Sequence, residues 1–311
     1  MHPTILHADY LLDPLKMDFN MPVEIHVTRF NTPGFEYPLY RYQNNDLIKI
    51  HFNDHNSYKV LLLSNEPVCS PNKETVQDVI SRSKDYNLIL CTDTEIINKC
   101  DNAVFFPYGT TWLNKDKTKH PDALGEYFNG LEENFNKKEF GVSFMTTANR
   151  GTKGYEMRHQ IWNNRNKINI PNKFYSSSRN RTDSNGYSDT HTDALHDGII
   201  PNDDKSIIFK SQFSIIVENC VQGGYFSEKI VDCLLTKTIP IYFGCPNIDL
   251  FFNSDGILKF NNMDELINIT NSLSEDTYNR LRAEIGENLN KAKYYASCFS
   301  KRVEYIIKSK I

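Results

Sequence analysis

Residues 218–230 read ENCVQGGYFSEKI and place charged groups and two glycines between apolar runs. The carboxylates of Glu218 and Glu228 can accept hydrogen bonds from hydroxyl groups, and the Lys229 ammonium can bind an anion. The glycines at positions 223 and 224 allow the backbone between these charges to turn sharply. The composition suits the binding of a charged, hydroxyl-rich ligand, and it fits equally well a solvated turn at the start of a helix.

Residues 210–244 predict a strand, a loop, a helix and a second strand. The run FSIIV indicates a strand that ends near Glu218, and the run IPIYF indicates the second strand. Ser227 is a good helix N-cap, and apolar residues follow it at helical spacing. In such a unit, ligands bind where the strands end and the helix begins, because the helix N-terminus favours phosphate.

The rest of the chain alternates short apolar runs with amphipathic ones, which predicts an α/β fold with a mostly parallel sheet. Strands are predicted at 22–27, 47–52, 58–64, 86–91, 102–109, 140–147 and 173–178, and helices at 73–85, at 154–167 and along the tail from 264. A polar stretch at 120–138 suggests a boundary between two domains, 1–138 and 139–311, as a chain of 311 residues allows. Residues 178–204 are predicted to be an irregular loop.

The bulk composition excludes several classes of protein. A formal net charge of -4 gives no indication of a nucleic-acid partner. Seven cysteines without a CxxC pair indicate reduced thiols rather than a disulfide framework or a structural zinc site. The N-terminus lacks the pattern of a signal peptide, and no stretch reaches the length of a membrane span. A soluble, cytoplasmic protein without a metal centre is therefore expected.

Three segments together resemble the α1,3-fucosyltransferases of glycosyltransferase family 10. They are FSIIVEN (213–219), GYFSEKI (224–230) and IPIYFGCP (239–246). The family signature reads roughly F-x-L-x-F-E-N-S, then G-Y-V-T-E-K-hydrophobic, then hydrophobic-P-I-Y-x-G-x-P, in this order. This chain departs from it at Cys220, where the family has Ser, and at Phe226 and Ser227, where the family has Val and Thr.

Weaker similarities to the same family lie upstream. VSFMTTANRGTKGYEMRHQIW (142–162) resembles its strand–loop–helix segment, VFFPYG (104–109) its PYG element, and LLLSNEP (61–67) its E-S-P element without the serine. The resemblance implies a GT-B fold, in which two Rossmann-like domains face each other across a cleft. It also implies that the first domain binds the acceptor glycan and the second binds GDP-fucose, and that no cofactor or catalytic metal is required.

The resemblance further implies which residues perform the reaction. An inverting transferase needs a base on the acceptor side, and Glu66 takes that position, with Glu95 as the alternative. The leaving diphosphate needs cations, and Arg158 and Lys229 are the candidates, with Arg150 as a substitute for the former.

Four further residues are candidates for binding the donor. Glu228 is expected to bond sugar or ribose hydroxyls, and Tyr225 to pack on the nucleotide or sugar. Glu218 and Asn219 either bond the ligand or fix the glycine loop. Two other functions stay open: a GT-B transferase that uses a different nucleotide sugar, and a non-catalytic protein that binds nucleotide sugars or glycans.

Overall fold

The structure is a computed structural model. It describes residues 19–21, 23–28, 39–43, 46–50, 57–63, 73–107, 109, 111, 113, 136–147, 149–176, 198–200, 205–297 and 299–311.

The first part of the chain contains two sheets. Its elements are β1 (Val23–Thr28), β2 (Leu39–Gln43), β3 (Asp46–Ile50), β4 (Tyr58–Leu63), α1 (Lys73–Ser81), β5 (Leu88–Cys91), α2 (Thr94–Lys99) and β6 (Ala103–Phe105). Four strands form a parallel sheet in the order β1-β4-β5-β6, whereas β2 and β3 form an antiparallel pair. The helices that connect β4, β5 and β6 give the parallel arrangement that the sequence predicts.

The second part of the chain forms a larger sheet. Its elements are β7 (Glu139–Thr146), α3 (Lys153–Asn163), β8 (Asn172–Ser176), β9 (Gly198–Ile199), β10 (Ser211–Val217), α4 (Glu228–Leu235), β11 (Ile239–Phe243), β12 (Leu258–Lys259), α5 (Met263–Asn271), α6 (Glu275–Arg280), α7 (Arg282–Ala296) and α8 (Phe299–Lys308). Six parallel strands run in the order β12-β11-β10-β7-β8-β9.

The strand order reverses between β7 and β10. From β7 the chain builds outward to β9, and from β10 it builds outward in the other direction to β12. This is the order of a doubly wound sheet, in which ligands bind in the crevice outside the carboxyl ends of the two strands at the switch point. The topology therefore places the candidate site where β7 and β10 end.

Burial explains why β10 occupies the centre of this sheet. All seven of its residues are buried, as expected for a strand covered on both faces. Phe213, Ile215 and Val217 face a core cluster that includes residues of α3, whereas Ile216 lies in the cluster that includes α4. The alternation follows from the two-residue period of a strand, so β10 fixes both helices beside its carboxyl end.

The last helix returns to the first sheet. Phe299, Val303 and Ile307 of α8 lie in the same core cluster as Val23 of β1 and Val60 of β4. Their spacing puts them on one face of the helix, so α8 covers a face of the β1-β4-β5-β6 sheet. The predicted division into domains at 138/139 remains a prediction.

Several predicted element boundaries were wrong. The strand expected at 47–52 is β3, and it pairs antiparallel with β2, which the sequence did not predict. The strand expected at 102–109 is limited to Ala103–Phe105, two residues before Pro107. The helix expected at 73–85 ends at Ser81, and α2 was not predicted. Short elements give too few periods for a pattern to define them.

Candidate functional site

The start of α3 and the segment after β10 touch at the switch point. The amide of Gly154 donates a hydrogen bond of 3.1 Å to the carbonyl oxygen of Asn219. A Cβ atom at Gly154 would lie 1.8 Å from the carbonyl oxygen of Glu218, which no real structure tolerates. Glycine at this position therefore allows the helix to begin directly against the strand end.

Arg158 joins the same two elements through its side chain. Its Nε donates to the carbonyl oxygen of Val217 at 3.2 Å, and its Nη2 donates to that oxygen and, at 2.7 Å, to Oδ1 of Asn219. The guanidinium is buried, which lowers the pKa of Arg158, yet arginine stays protonated in proteins. The predicted phosphate ligand thus brings a permanent charge to the site and also fixes the end of β10.

Glu218 closes the loop between β10 and α4. Its fully buried carboxylate accepts hydrogen bonds from the amide of Ser227 at 2.9 Å and from the Ser227 hydroxyl at 2.6 Å. Burial raises the pKa of Glu218, and the ammonium of Lys229, 3.7 Å away, opposes that shift. Of the two roles left open by the sequence, these contacts are those of a residue that fixes the loop.

The first turn of α4 carries a chain of charges. Ser227 is the N-cap, as predicted, and its hydroxyl accepts from the Lys229 amide at 3.3 Å. The Glu228 carboxylate lies 3.5 Å from the Lys229 ammonium and 3.0 Å from that of Lys205. Burial alone would raise the pKa of Glu228, but the two lysines outweigh it and hold that pKa well below its usual range. Glu228 is therefore ionised near neutral pH.

The glycine loop has the backbone conformation that its sequence predicts. Gly224 has a φ of +74°, and its amide donates to Oδ1 of Asn247 at 2.8 Å. A Cβ atom there would lie 2.7 Å from the ring of Phe105 at the end of β6. The loop thus contacts the carboxyl end of the first sheet. Tyr225 is fully buried, so its ring offers no exposed face to a ligand in this conformation.

An open depression of ≈ 530 Å³ lies beside the start of α3. Its lining includes residues 151–153 and the ring of Phe243 at the end of β11. The Phe243 carbonyl accepts a hydrogen bond from the Glu218 amide, so this wall is joined directly to the end of β10. The size is within the range of small-molecule sites. The depression therefore offers room for a ligand next to the charged turn.

The remaining predicted residues lie elsewhere or outside the described part of the chain. Glu66 is not among the described residues. Glu95 lies in the first turn of α2, and its carboxylate accepts hydrogen bonds of 2.8 Å from Lys99 and from Gln77. Arg150 is exposed and lies 3.9 Å from Glu156. Neither Glu95 nor Arg150 has a contact with the charged turn of α4 among these interactions.

Two residues at the site were missed from the sequence. Lys205 pairs with Glu228 across 23 positions, and Asn247 accepts from the Gly224 amide across the same number. Asn247 stands in a turn sequence after β11, which marks it only as a turn residue. Lys205 follows the irregular segment 178–204, and no spacing rule connects it to α4. Contacts of this separation depend on the fold rather than on local pattern.

Within the described ranges, no group of three His, Cys, Asp or Glu side chains is placed to hold a metal ion. None of the helices in the described part of the chain has the length and apolar character needed to cross a membrane.

Comparison with known proteins gives a local sequence match and a distant structural likeness. No family model matches the chain. A 59-residue segment is 39% identical to the α-(1,3)-fucosyltransferase FucT of Helicobacter pylori, which is 18% of this chain and 12% of that protein. An α1,3-fucosyltransferase crystal structure superposes with a TM-score of 0.47 at 19% identity, covering 82% of this chain and 72% of the other. Crystal structures of an α1,3-fucosyltransferase with GDP and with GDP-fucose give the same TM-score and identity, covering 82% and 83% of this chain and 74% and 76% of the other.

Proposed function

We propose that this chain is an inverting α1,3-fucosyltransferase, which transfers fucose from GDP-fucose to a hydroxyl group of a glycan. Most support comes from one feature: the segments 213–219, 224–230 and 239–246 meet where a doubly wound sheet binds ligands, beside a buried cluster of charges. The local match to a bacterial α-(1,3)-fucosyltransferase supports the choice of sugar.

In this proposal the diphosphate of the donor lies at the first turn of α4. The Lys229 ammonium and the unpaired amide groups of the helix start provide positive charge there. Arg158 adds a second permanent charge from α3 while it fixes the strand end. The Glu228 carboxylate accepts hydrogen bonds from sugar or ribose hydroxyls, and the depression beside α3 takes the nucleoside.

The chemical step forms one bond and breaks one. The acceptor oxygen attacks the anomeric carbon of fucose from the face opposite the diphosphate, and the bond from that carbon to the phosphate oxygen breaks. Its electron pair leaves with GDP, whose growing charge the cations stabilise. The proton of the acceptor hydroxyl passes to a carboxylate, for which Glu66 is proposed. No metal ion takes part in this step.

The proposal includes the arrangement of the chain. Residues 1–138 would bind the acceptor glycan and residues 139–311 the donor, in the GT-B arrangement with the reacting groups between them. The contact between Gly224 and Phe105 supports this, because it brings the loop after β10 against the carboxyl end of the first sheet.

Nucleotide selectivity tests the proposed function. The thermal unfolding midpoint would be measured with GDP, UDP, ADP and CMP, and turnover would then be measured with GDP-fucose and glycan acceptors. We expect stabilisation by GDP above the other nucleotides, since a ligand that binds only the folded state raises the midpoint. We also expect release of GDP from GDP-fucose that depends on acceptor.

Each contrary result supports a different function. Stabilisation by UDP and turnover of a UDP-sugar would indicate a transferase with another donor. Stabilisation by GDP without turnover, with any acceptor, would indicate a protein that only binds nucleotide sugars.

A further inference from the structure

Lys205 forms a buried ion pair with a residue of the candidate site. Its ammonium lies 3.0 Å from the Glu228 carboxylate, and only 12% of the Lys205 side chain and 6% of the Glu228 side chain are exposed. An ion pair this well covered is poorly screened by water or salt, unlike a pair on the surface. Its charges therefore act strongly on their neighbours.

The charges around Glu228 do not balance. Arg158, Lys205 and Lys229 are cations, whereas Glu218 and Glu228 are carboxylates, which leaves a formal excess of one positive charge. The Lys229 ammonium lies 3.7 Å from Glu218 and 3.5 Å from Glu228. A buried group with excess positive charge favours an anionic ligand.

We propose that Lys205 is a positioning residue for a nucleoside diphosphate at this site. Its ammonium neutralises Glu228, so that the charge of Lys229 acts on the diphosphate rather than on two carboxylates. The inference rests on the proposed donor role of the site, and it assigns Lys205 a function that the resemblance to the family does not include.

The geometry gives the reason. If Lys205 is replaced by an uncharged residue, Lys229 becomes the nearer counter-ion of both Glu218 and Glu228. The formal charge of the cluster then falls from +1 to 0, three cations less one against two carboxylates. The ribose and the base do not sense this change as the diphosphate does, because they carry no charge.

The test is the ratio of GDP affinity to guanosine affinity, measured by calorimetry on the full chain. Lys205→Met is expected to lower this ratio about tenfold, since close buried charges couple strongly. Lys205→Arg keeps the charge and is expected to restore most of the ratio. Lys210→Met, in the same 3₁₀ segment but exposed, is the matched control and leaves the ratio unchanged.

A second substitution separates positioning from simple loss of folding. Lys205→Met combined with Glu228→Gln returns the formal charge of the cluster to +1, so the ratio is expected to recover toward the wild-type value. A purely structural role for Lys205 predicts equal losses for GDP and guanosine and no recovery, and this result would overturn the inference.

The wild-type chain tells the two proposals apart. If it binds GDP and Lys205→Met keeps the wild-type ratio, the role of Lys205 is wrong and the proposed function stands. If it binds none of the nucleoside diphosphates, the proposed function fails and the role of Lys205 fails with it.

Discussion

The amide of Gly154 donates a 3.1 Å hydrogen bond to the carbonyl oxygen of Asn219, and this contact joins the two sides of the switch point. It brings the start of α3 against the segment that follows β10. The guanidinium of Arg158, one turn further along α3, can then reach both Val217 and the Asn219 side chain. The position of one charged residue at the site therefore depends on the absence of a side chain at another.

Gly154→Ala is expected to destabilise the protein. The added Cβ would lie 1.8 Å from the Glu218 carbonyl oxygen, so α3 or the end of β10 must move. We expect the free energy of unfolding in urea to fall by about 1–3 kcal/mol or more, as for overpacked cores. Gly286→Ala is the control: no atom lies within 4 Å of the new Cβ. It is expected to stabilise α7 by roughly 0.5–1 kcal/mol. Equal stability of the two variants would contradict this account.

Arg158→Lys tests whether this residue acts only as a charge. Lysine keeps the positive charge but lacks the planar fork that serves Val217 and Asn219 together. We expect a loss of about 1–3 kcal/mol in the free energy of unfolding, because a buried acceptor loses its partner, together with weaker GDP binding. If Arg158→Lys has wild-type stability, the contacts with Val217 and Asn219 do not fix the strand end.

Lys138 predicts how stability changes with pH. Its ammonium donates to Phe209 and Thr238 at the opposite end of the sheet, and burial lowers the pKa of Lys138 from 10.5 to about 7. Of its charged neighbours, Cys233 opposes this shift and Lys237 adds to it. Between pH 7 and 10.5 the unfolded chain binds the Lys138 proton and the folded chain does not, so the contribution of Lys138 to stability rises with pH.

Urea unfolding of the wild type and of Lys138→Met between pH 6 and 9 measures this effect. The wild type is expected to gain stability relative to the variant above pH 7, by at most about 1.4 kcal/mol per pH unit. Lys210→Met, which removes an exposed lysine, is expected to show no such trend. A difference between wild type and Lys138→Met that stays constant from pH 6 to 9 would mean that Lys138 titrates as an ordinary lysine.

Arg302 is expected to hold the end of the first sheet against α8. The buried guanidinium donates to the carbonyl oxygens of Pro107 and Gly109 and lies over the rings of Phe106 and Phe299, at 5.4 Å and 5.3 Å. Arg302→Met leaves two carbonyl groups without this donor. We expect the free energy of unfolding to fall by about 2–4 kcal/mol and hydrogen exchange to increase at residues 103–107.

Lys301→Met is the control for Arg302→Met. Lys301 is the preceding residue of α8, and its side chain is partly exposed and paired with Glu304 at 2.8 Å. Such a pair contributes no more than about 1 kcal/mol. Similar losses in the two variants would show that the contacts with Pro107 and Gly109 have no special weight.

Local pattern predicted the unit that forms the site. The apolar run of β10, the N-cap Ser227 and the apolar face of α4 each follow from spacing and residue type, and all three were confirmed. Gly224 was likewise expected to turn, and its positive φ confirms it. These features are readable because each depends on residues that are neighbours in the chain.

Long-range contacts could not be predicted in this way. Lys205 reaches Glu228 across 23 positions, and Arg302 reaches Gly109 across 193. The pairing of such residues depends on which strands are neighbours, and a single sequence does not specify that order. The burial of Tyr225, expected at a ligand, has the same origin, since the loop packs against another part of the fold.

The proposed base gives the last prediction. Glu66→Gln is expected to reduce fucose transfer by at least 10²-fold, the usual contribution of general base catalysis, while GDP affinity stays near the wild-type value. Glu95→Gln is the matched comparison. Its carboxylate already binds Lys99 and Gln77 on the surface of the first sheet's helices, so transfer is expected to change little. The measurement is single-turnover transfer from GDP-fucose with calorimetric GDP binding on the same preparations. If Glu95→Gln abolishes transfer and Glu66→Gln does not, the base is Glu95, and its pair with Lys99 must open before the acceptor binds.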